Sequence, residues 1–421
     1  MRADNHDRSL WRNPDFLKLW SAQSISVAGS LMGALQLTAI VELGASPVQM
    51  SLLAAASVLP AVMFGLAAGA WVDRVRRRPL LIAADLGRVA LLGSIPVSWA
   101  FDSLHIEQLY LVGFFHGLLT IFFDVAYRSY LPSLVPRERL VEANSRLSAS
   151  ASVAEVGAFS LGGWVAQLVS SVAVATIDSV TYLVSALLLV WVRAPEATPP
   201  PADDPPSLRH EIIAGLRLVV RSPILRAFGA QKVASGLGGG IIGTLILLYG
   251  IETLGFAPGV LGTIWAIGGT SILGALSAGT LTRRFGLGKT LTLSFMLYTL
   301  SSFLIPMARG PLVVAGVFLG AQQLFDFGLA ISEINGVSLR QSIVSPRMLG
   351  RVNASMATAG QTSQLVGSLI AGVLAEAVGI RWALTAGSSL MAAGGLWLLL
   401  SPVREVRSAS AQTPIDVDSA F

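Results

Sequence analysis

The stretch GAWVDRVRRRPL, residues 69–80, sets five charges, Asp73, Arg74, Arg76, Arg77 and Arg78, into an otherwise apolar part of the chain. An apolar run near 48–72 leads into it and another near 79–101 leads out. Each run is long enough to cross a bilayer core, which takes roughly 20 helical residues. Arginines between two spans resist translocation and hold their loop on the cytoplasmic side. The stretch therefore reads as a tight cytoplasmic connection between two transmembrane helices, and the rest of the chain repeats the pattern.

Of the 421 residues, 53% are hydrophobic and only 13% charged, with a mean hydropathy of +0.68. A soluble domain carries about a quarter charged residues, and a chain this apolar would expose large sticky surfaces in water. Apolar runs fall near 16–42, 48–72, 79–101, 107–131, 142–169 and 172–192, and again near 224–252, 259–282, 290–308, 311–338, 351–378 and 381–401. The expected fold is an all-α membrane protein with 12 transmembrane helices. The expected organisation is a six-helix bundle over 1–193, a cytoplasmic linker over 194–222, a second bundle over 223–402 and a cytoplasmic tail over 403–421. Within the linker, APEATPPPADDPP (194–206) is too proline-rich for a helix. LRHEIIAGLRLVVRSP (208–223) is amphipathic and basic, suited to a membrane surface.

The formal charge of +5 does not point to nucleic acid, because the bases sit in short loops where topology explains them. Lys and Arg fall on alternate connections; the opposite set holds only Arg309 and Arg381. Both termini are therefore expected in the cytoplasm, with the first span as targeting signal, since the first 20 residues lack a cleavable pattern. The chain has no cysteine and four histidines without clustered ligands, which gives no basis for thiol chemistry or a metal site. It carries neither a phosphate-cradling Gly-rich loop nor a nucleophile elbow. No enzymatic activity and no cofactor are expected.

The two halves resemble each other at an offset of about 210 residues. NPDFL (13–17) parallels SPILR (222–226), LGASP (43–47) parallels LGFAP (254–258), and VPRERL (135–140) parallels SPRMLG (345–350). Gly69 followed by Asp73-Arg74 parallels Gly279 followed by Arg283-Arg284, and Asn144 parallels Asn353. Two pseudo-symmetric six-helix bundles in parallel orientation follow. Such proteins bind substrate between their halves and rock one against the other.

With these residues in view, GAWVDRVRRRPL resembles the signature of the major facilitator superfamily between its second and third spans, Gly-x-x-x-Asp-Arg-x-Gly-Arg-Arg. Gly69, Asp73, Arg74, Arg77 and Arg78 match, Arg76 stands where glycine is usual, and the copy GTLTRRFGLGK (279–289) has Arg283 in place of the acid. LIAADLGR (81–88) and LPSLVPRERLVEAN (131–144) resemble the bacterial drug and siderophore exporters of that superfamily. In AFSLGGWVAQ (158–167), Ala158 and Phe159 replace the Gly-Pro pair of the exporter element, while Gly157, Gly162 and Gly163 still allow close packing. The resemblance implies a latch at Gly69, Asp73, Arg74, Arg77 and Arg78. Gly69 would admit a close helix, and Asp73 would pair with Arg74 or Arg77 and cap a neighbouring helix. Asp85 and Arg88, at i and i+3, form the expected structural pair, joined to that latch.

Ionisable groups inside spans are costly unless paired or facing a cavity, so they are the leading functional candidates. The tenth span carries Gln322, Asp326 and Glu333 at i, i+4 and i+11, within about 40° of one face of an unbroken helix. The fourth carries His116, Thr120, Asp124 and Arg128 at i+4 steps, and His116 aligns with Asp326 in the repeat. The resemblance implies that spans four and ten line the central cavity. A carboxyl in a poorly hydrated cavity holds its proton tightly and a nearby cation loosens it, so such a group can carry protons. Asp326 ranks first for that role, then Glu333 and Asp124, with pairing to Arg128 the competing reading for Asp124. Gln23, Gln36, His116, Glu155, Lys232, Gln322 and Gln364 are candidate cavity residues. Lys232 suits either an anionic substrate or a facing acid, and Asp178, near the start of span six, suits a cap.

The expected function is proton-coupled efflux of an amphipathic small molecule by a monomer in a bacterial inner membrane, with the bilayer, the substrate and the proton as partners. An importer of a polar metabolite, or a non-transporting sensor with a transporter fold, are the alternatives.

Overall fold

The structure, a computed structural model, describes residues 10–72, 74–136, 139–194, 196 and 208–408. Its regular elements are all helices. The first six apolar runs form α1 (Pro14–Ser30) with α2 (Ala34–Val41), then α3 (Pro47–Val72), α4 (Arg77–Ala100), α5 (Ile106–Leu134), α6 (Leu140–Leu168) and α7 (Ser171–Val190). The linker contributes α8 (Leu208–Arg221). The second set comprises α9 (Pro223–Leu248), α10 (Pro258–Ala266) with α11 (Ser271–Phe285), and α12 (Leu287–Ser301) with α13 (Leu304–Met307). It closes with α14 (Leu312–Leu324) and α15 (Phe327–Ile343), α16 (Pro346–Val378) and α17 (Ile380–Leu400). The expected span ends move by no more than five residues.

Among the described residues, ten helical segments are long and apolar enough to cross a membrane. The two long helices outside that set, α6 and α16, occupy equivalent places in the two halves. At 29 and 33 residues and a 1.5 Å rise they are about 43 and 50 Å long, ample for a crossing. The more polar face of α16 lines a cavity, as described below. With α6 and α16 included, the helices are consistent with the expected twelve-span architecture.

The matched pair NPDFL and SPILR has a local physical cause. The Asn13 side chain accepts hydrogen bonds from the backbone N–H of Asp15 and Phe16 at 3.1 and 3.2 Å, and Pro14 sits at the first helical position. The Ser222 hydroxyl accepts from Leu225 N–H at 3.4 Å ahead of Pro223. Each half thus begins with a capping residue and a proline that lacks the N–H a helix start cannot pair.

The connections after the second span of each half differ. Gly286, at φ +87°, joins α11 directly to α12, a conformation that costs glycine little. Arg76, its counterpart, is extended at φ −68°, ψ 127°. The first-half turn is longer instead, with Arg74 N–H donating to Trp71 O at 3.1 Å.

The chain divides into two compact units. One comprises Met1–Gly44, Leu59–Asp203 and Pro258–Ala266; the other comprises Ala45–Val58, Asp204–Ala257 and Ile267–Phe421. The first centres on Phe16, Leu19, Leu81, Phe123, Tyr130 and Leu189. The second centres on Phe228, Leu291, Phe295, Leu339, Val352 and Leu398. Large apolar side chains such as Leu276, Val313, Val317 and Trp382 remain exposed, as lipid contact requires.

In the first unit, α6 and α10 meet along a glycine seam. A Cβ added at Gly163 would lie 2.3 Å from Pro258 O, and one at Gly262 would lie 2.3 Å from Phe159 O. Gln167 Oε1 accepts from Gly259 N–H at 3.1 Å, and Trp164 Nε1 donates to Thr263 Oγ1 at 3.0 Å. Gly162 is equally confined, against Met32 of the first span, whereas Gly157 faces open space. Backbones approach this closely only over glycine. Gly262→Val is expected to cost about 1–3 kcal/mol through overpacking. Thermal unfolding of the purified protein should show a clearly lowered midpoint, and an unchanged midpoint would contradict the seam.

Helix α8 departs from expectation. Leu218 and Val219 are buried in the second unit's core, and a Cβ at Gly215 would meet Arg351 O at 2.5 Å. Its apolar face packs on α9 and α16, where burial against protein replaces burial in lipid, while Leu216 and Val220 stay exposed.

Candidate transport site

Span ten is not one helix. It breaks between α14 and α15 at Phe325 and Asp326. There the backbone bonds shorten to i→i+3, from Phe325 N–H to Gln322 O at 3.0 Å and from Asp326 N–H to Gln323 O at 3.2 Å. No proline causes the break. Neighbouring backbones press on it: a Cβ at Gly274 would meet Phe327 O at 2.4 Å, and one at Gly328 would meet Ser294 O at 2.5 Å.

Span eight is interrupted beside it, by a 3-10 turn at Ile267–Thr270 between α10 and α11. The Thr270 hydroxyl points at Gln323 O and Leu324 O, both at 3.4 Å, carbonyls of the last turn before the break. Gln322 Nε2 donates to Asp326 Oδ1 at 2.9 Å. A Cβ at Gly268 would lie 3.6 Å from Asp326 Oδ2, so no side chain separates that carboxyl from the turn. A 3-10 stretch inside a span marks a hinge, and interrupted membrane helices form ion and substrate sites. The expected continuous stripe is thus divided. Gln322 and Asp326 stay together at the break, while Glu333 lies two turns into α15.

Glu333 meets Lys232 of α9, with Nζ 2.6 Å from Oε1 and both side chains part-exposed, at 42% and 30%. Beside this pair lies a cavity of about 470 Å³ lined by Lys232, Ser235, Arg340, Asn353, Gln361 and Gln364. Its wall forms where α9 touches α16, a Cβ at Gly236 coming 2.5 Å from Gly360 O. The polar face of α16 that lowers its hydropathy is this wall. Of the expected cavity residues, Lys232 and Gln364 are together here. Arg340, Asn353 and Gln361 were missed as site residues. Arg340 lies just beyond the expected run near 311–338, yet it is inside α15, and its i+7 spacing from Glu333 places both on one face of that helix.

The first unit holds a different cluster. Arg88 and Asp85 pair at 2.8 Å with side chains only 3% and 0% exposed. Ser185 Oγ donates to the other Asp85 oxygen at 2.6 Å. The Arg88 guanidinium lies 4.2 Å from the Phe123 ring centre and 4.4 Å from that of Tyr182. Tyr182 is also hydrogen-bonded to His116 Nε2 at 3.0 Å and to Ser30 Oγ at 2.5 Å. The partners of Asp85 and Arg88 are therefore helix residues rather than loop arginines. Asp178 does not cap a helix. It is buried well inside α7, and Ser170 caps that helix by accepting from Ala173 N–H at 3.0 Å.

At the signature loop, Asp73 lies outside the described residues. A Cβ at Gly69 would meet nothing within 4 Å, which removes close helix approach as the reason for that glycine. Arg74 is exposed in the turn. The cap on α4 comes from Glu196 of the linker, whose carboxylate accepts from Arg77 N–H at 2.5 Å and Arg78 N–H at 3.2 Å. Arg78 in turn donates through Nε to Leu189 O at 3.0 Å, at the end of α7. Glu196 was missed because it is 119 and 118 residues from the two N–H groups it caps. Glu196→Ala is expected to cost about 1 kcal/mol, visible as a small drop in the unfolding midpoint that Glu196→Asp partly restores. An unchanged midpoint would remove the cap.

Among the described residues, exposed Asp124 makes no hydrogen bond or ion pair, so the alternative bridge to Arg128 is not formed. Gln36 and Glu155 are exposed, and Gln23 Oε1 is buried without a hydrogen-bond partner.

Apolar spans, a two-half repeat and charged side chains at interrupted helices define a multi-pass membrane transporter. A profile of the Major Facilitator Superfamily matches residues 20–367, and the chain belongs to that family. It is 26% identical to an uncharacterized MFS-type transporter, YfiS of Bacillus subtilis, over 95% of this chain and 97% of that one. It is 24% identical to Macrolide efflux protein A of Streptococcus pyogenes over 93% and 97%. It is 25% identical to the Enterobactin exporter EntS of Escherichia coli O81 over 84% and 82%. Among solved structures, a variant of the nucleoside transporter NupG superposes with a TM-score of 0.76 at 13% identity, over 92% and 99% of the two chains. A bacterial homologue of the lysosomal transporter Spinster superposes at 0.70 and 13% identity, over 95% and 98%. These two likenesses concern the fold.

Proposed function

We propose that the protein exports an amphipathic small molecule in exchange for protons, with Asp326 as the proton carrier. It works as a monomer in a bacterial inner membrane with both termini in the cytoplasm. Residues 1–193 and 223–402 act as the two rocking halves. The observation that carries this reading is the placement of Asp326. A carboxyl at a break in span ten, facing a second break in span eight, sits where a small backbone rearrangement changes its surroundings. A change of surroundings is what loads and unloads a proton. The export direction draws support from two relatives whose names are those of efflux proteins. Glu333, held by Lys232, and exposed Asp124 are secondary candidates.

The test is a panel of amphipathic antibiotics and dyes in an efflux-deficient bacterial host with and without the protein. Accumulation of at least one compound should fall, and a protonophore should restore it. Increased accumulation would reverse the direction, and indifference to the protonophore would remove proton coupling.

A further inference from the structure

We infer that the cavity between α9, α15 and α16 binds an anionic group, a carboxylate or sulfonate, and that the cargo is an acidic amphiphile. Lys232 and Arg340 line it, and no acid does. The Lys232 charge is balanced by Glu333 at 2.6 Å. The Arg340 guanidinium makes no hydrogen bond or ion pair among the described residues; it lies 5.4 Å from the Phe228 ring centre and feels the Glu333 carboxylate only from beyond ion-pair distance. The side-chain amides of Asn353, Gln361 and Gln364 are likewise without hydrogen-bond partners there. One cation in excess, surrounded by amide donors, is a poor arrangement for a resting wall and a good one for an anion. A guanidinium offers a planar fork to a carboxylate or sulfonate. A bound anion would bridge Arg340 and Lys232 and compete with Glu333 for the ammonium. The apolar part of the cargo would lie along Met356 and Ala357.

The word cargo rests on the exporter reading above; the anion site does not. The experiment therefore reads the site in purified, de-energised protein. The chain contains no cysteine, so Gln361→Cys gives a single reporter. Its labelling rate is measured with 2-sulfonatoethyl methanethiosulfonate and with the trimethylammonium counterpart, each normalised to a free small thiol. The sulfonate should be favoured. Arg340→Gln should lower that preference about tenfold, Glu333→Gln should raise it, and Arg340→Lys should largely keep it. Naphthalene-2-carboxylate should slow labelling where naphthalene-2-carboxamide does not. A preference unmoved by Arg340→Gln, or equal effects of the carboxylate and the carboxamide, would overturn the site. If the site holds while the transport panel finds only neutral or cationic cargo, the anion belongs to another step and the cargo assignment falls alone.

Discussion

Asp326→Asn is expected to leave the protein folded in the membrane and to abolish gradient-driven efflux. The amide keeps the size of the carboxyl and can still bond Gln322, whose Nε2 lies 2.9 Å from Asp326 Oδ1. What is lost is the capacity to ionise, and with it the capacity to take up and release a proton. One proton moving inward releases about 2.3 kcal/mol per 100 mV, which corresponds to a cargo ratio of roughly fifty-fold. A variant without the carrier cannot use that energy. In proteoliposomes with an imposed pH gradient, uphill efflux of a compound from the panel should fall at least about tenfold. Downhill exchange of the same compound should persist, because alternation itself is intact. Glu333→Gln should do less to uphill efflux than to cargo affinity. Normal uphill efflux by the Asp326→Asn protein would take that residue out of the mechanism, and a greater loss in Asp124→Asn would transfer the role to the first unit.

The second large effect concerns stability. Arg88→Met is expected to cost about 3–5 kcal/mol, because it strands the Asp85 carboxyl in a protein interior. Ser185 alone remains to it, at 2.6 Å. The stacking of the guanidinium on Phe123 and Tyr182, about 0.5–2 kcal/mol per ring, is lost as well. Asp85→Asn combined with Arg88→Met should be less harmful than the sum of the single changes, since it removes both charges. A double-mutant cycle on unfolding midpoints in detergent reads that difference. Strictly additive losses would mean that the pair, at 2.8 Å, contributes no coupling of its own.

The contrast between these two sites shows how far the amino-acid order reaches. Asp85 and Arg88 are three residues apart on one helix, so helical geometry alone brings them together. Asp326 was legible as an acid in a span with Gln322 one turn away. That its helix breaks there was not legible, because no proline marks the segment and a single glycine such as Gly328 is common inside membrane helices. The break depends on Gly274 and Gly328, which let other backbones press against that turn. Lys232 left two readings open, and only the rotation of α9 against α15 put its ammonium on Glu333, 101 residues away.

The sequence by itself determined the twelve apolar segments, the alternation of basic loops, the doubled architecture and the helix starts at Asn13-Pro14 and Ser222-Pro223. Those features arise from hydropathy and from backbone bonds over a few neighbouring residues, both local and close to additive along a chain. The tertiary structure alone decided the capping of α4 by Glu196, the docking of α8, the paired interruptions around Asp326 and the cavity beneath Arg340. Each of those depends on which faces of distant helices meet, and that is set by close packing over small residues at contacts that no short window of sequence contains.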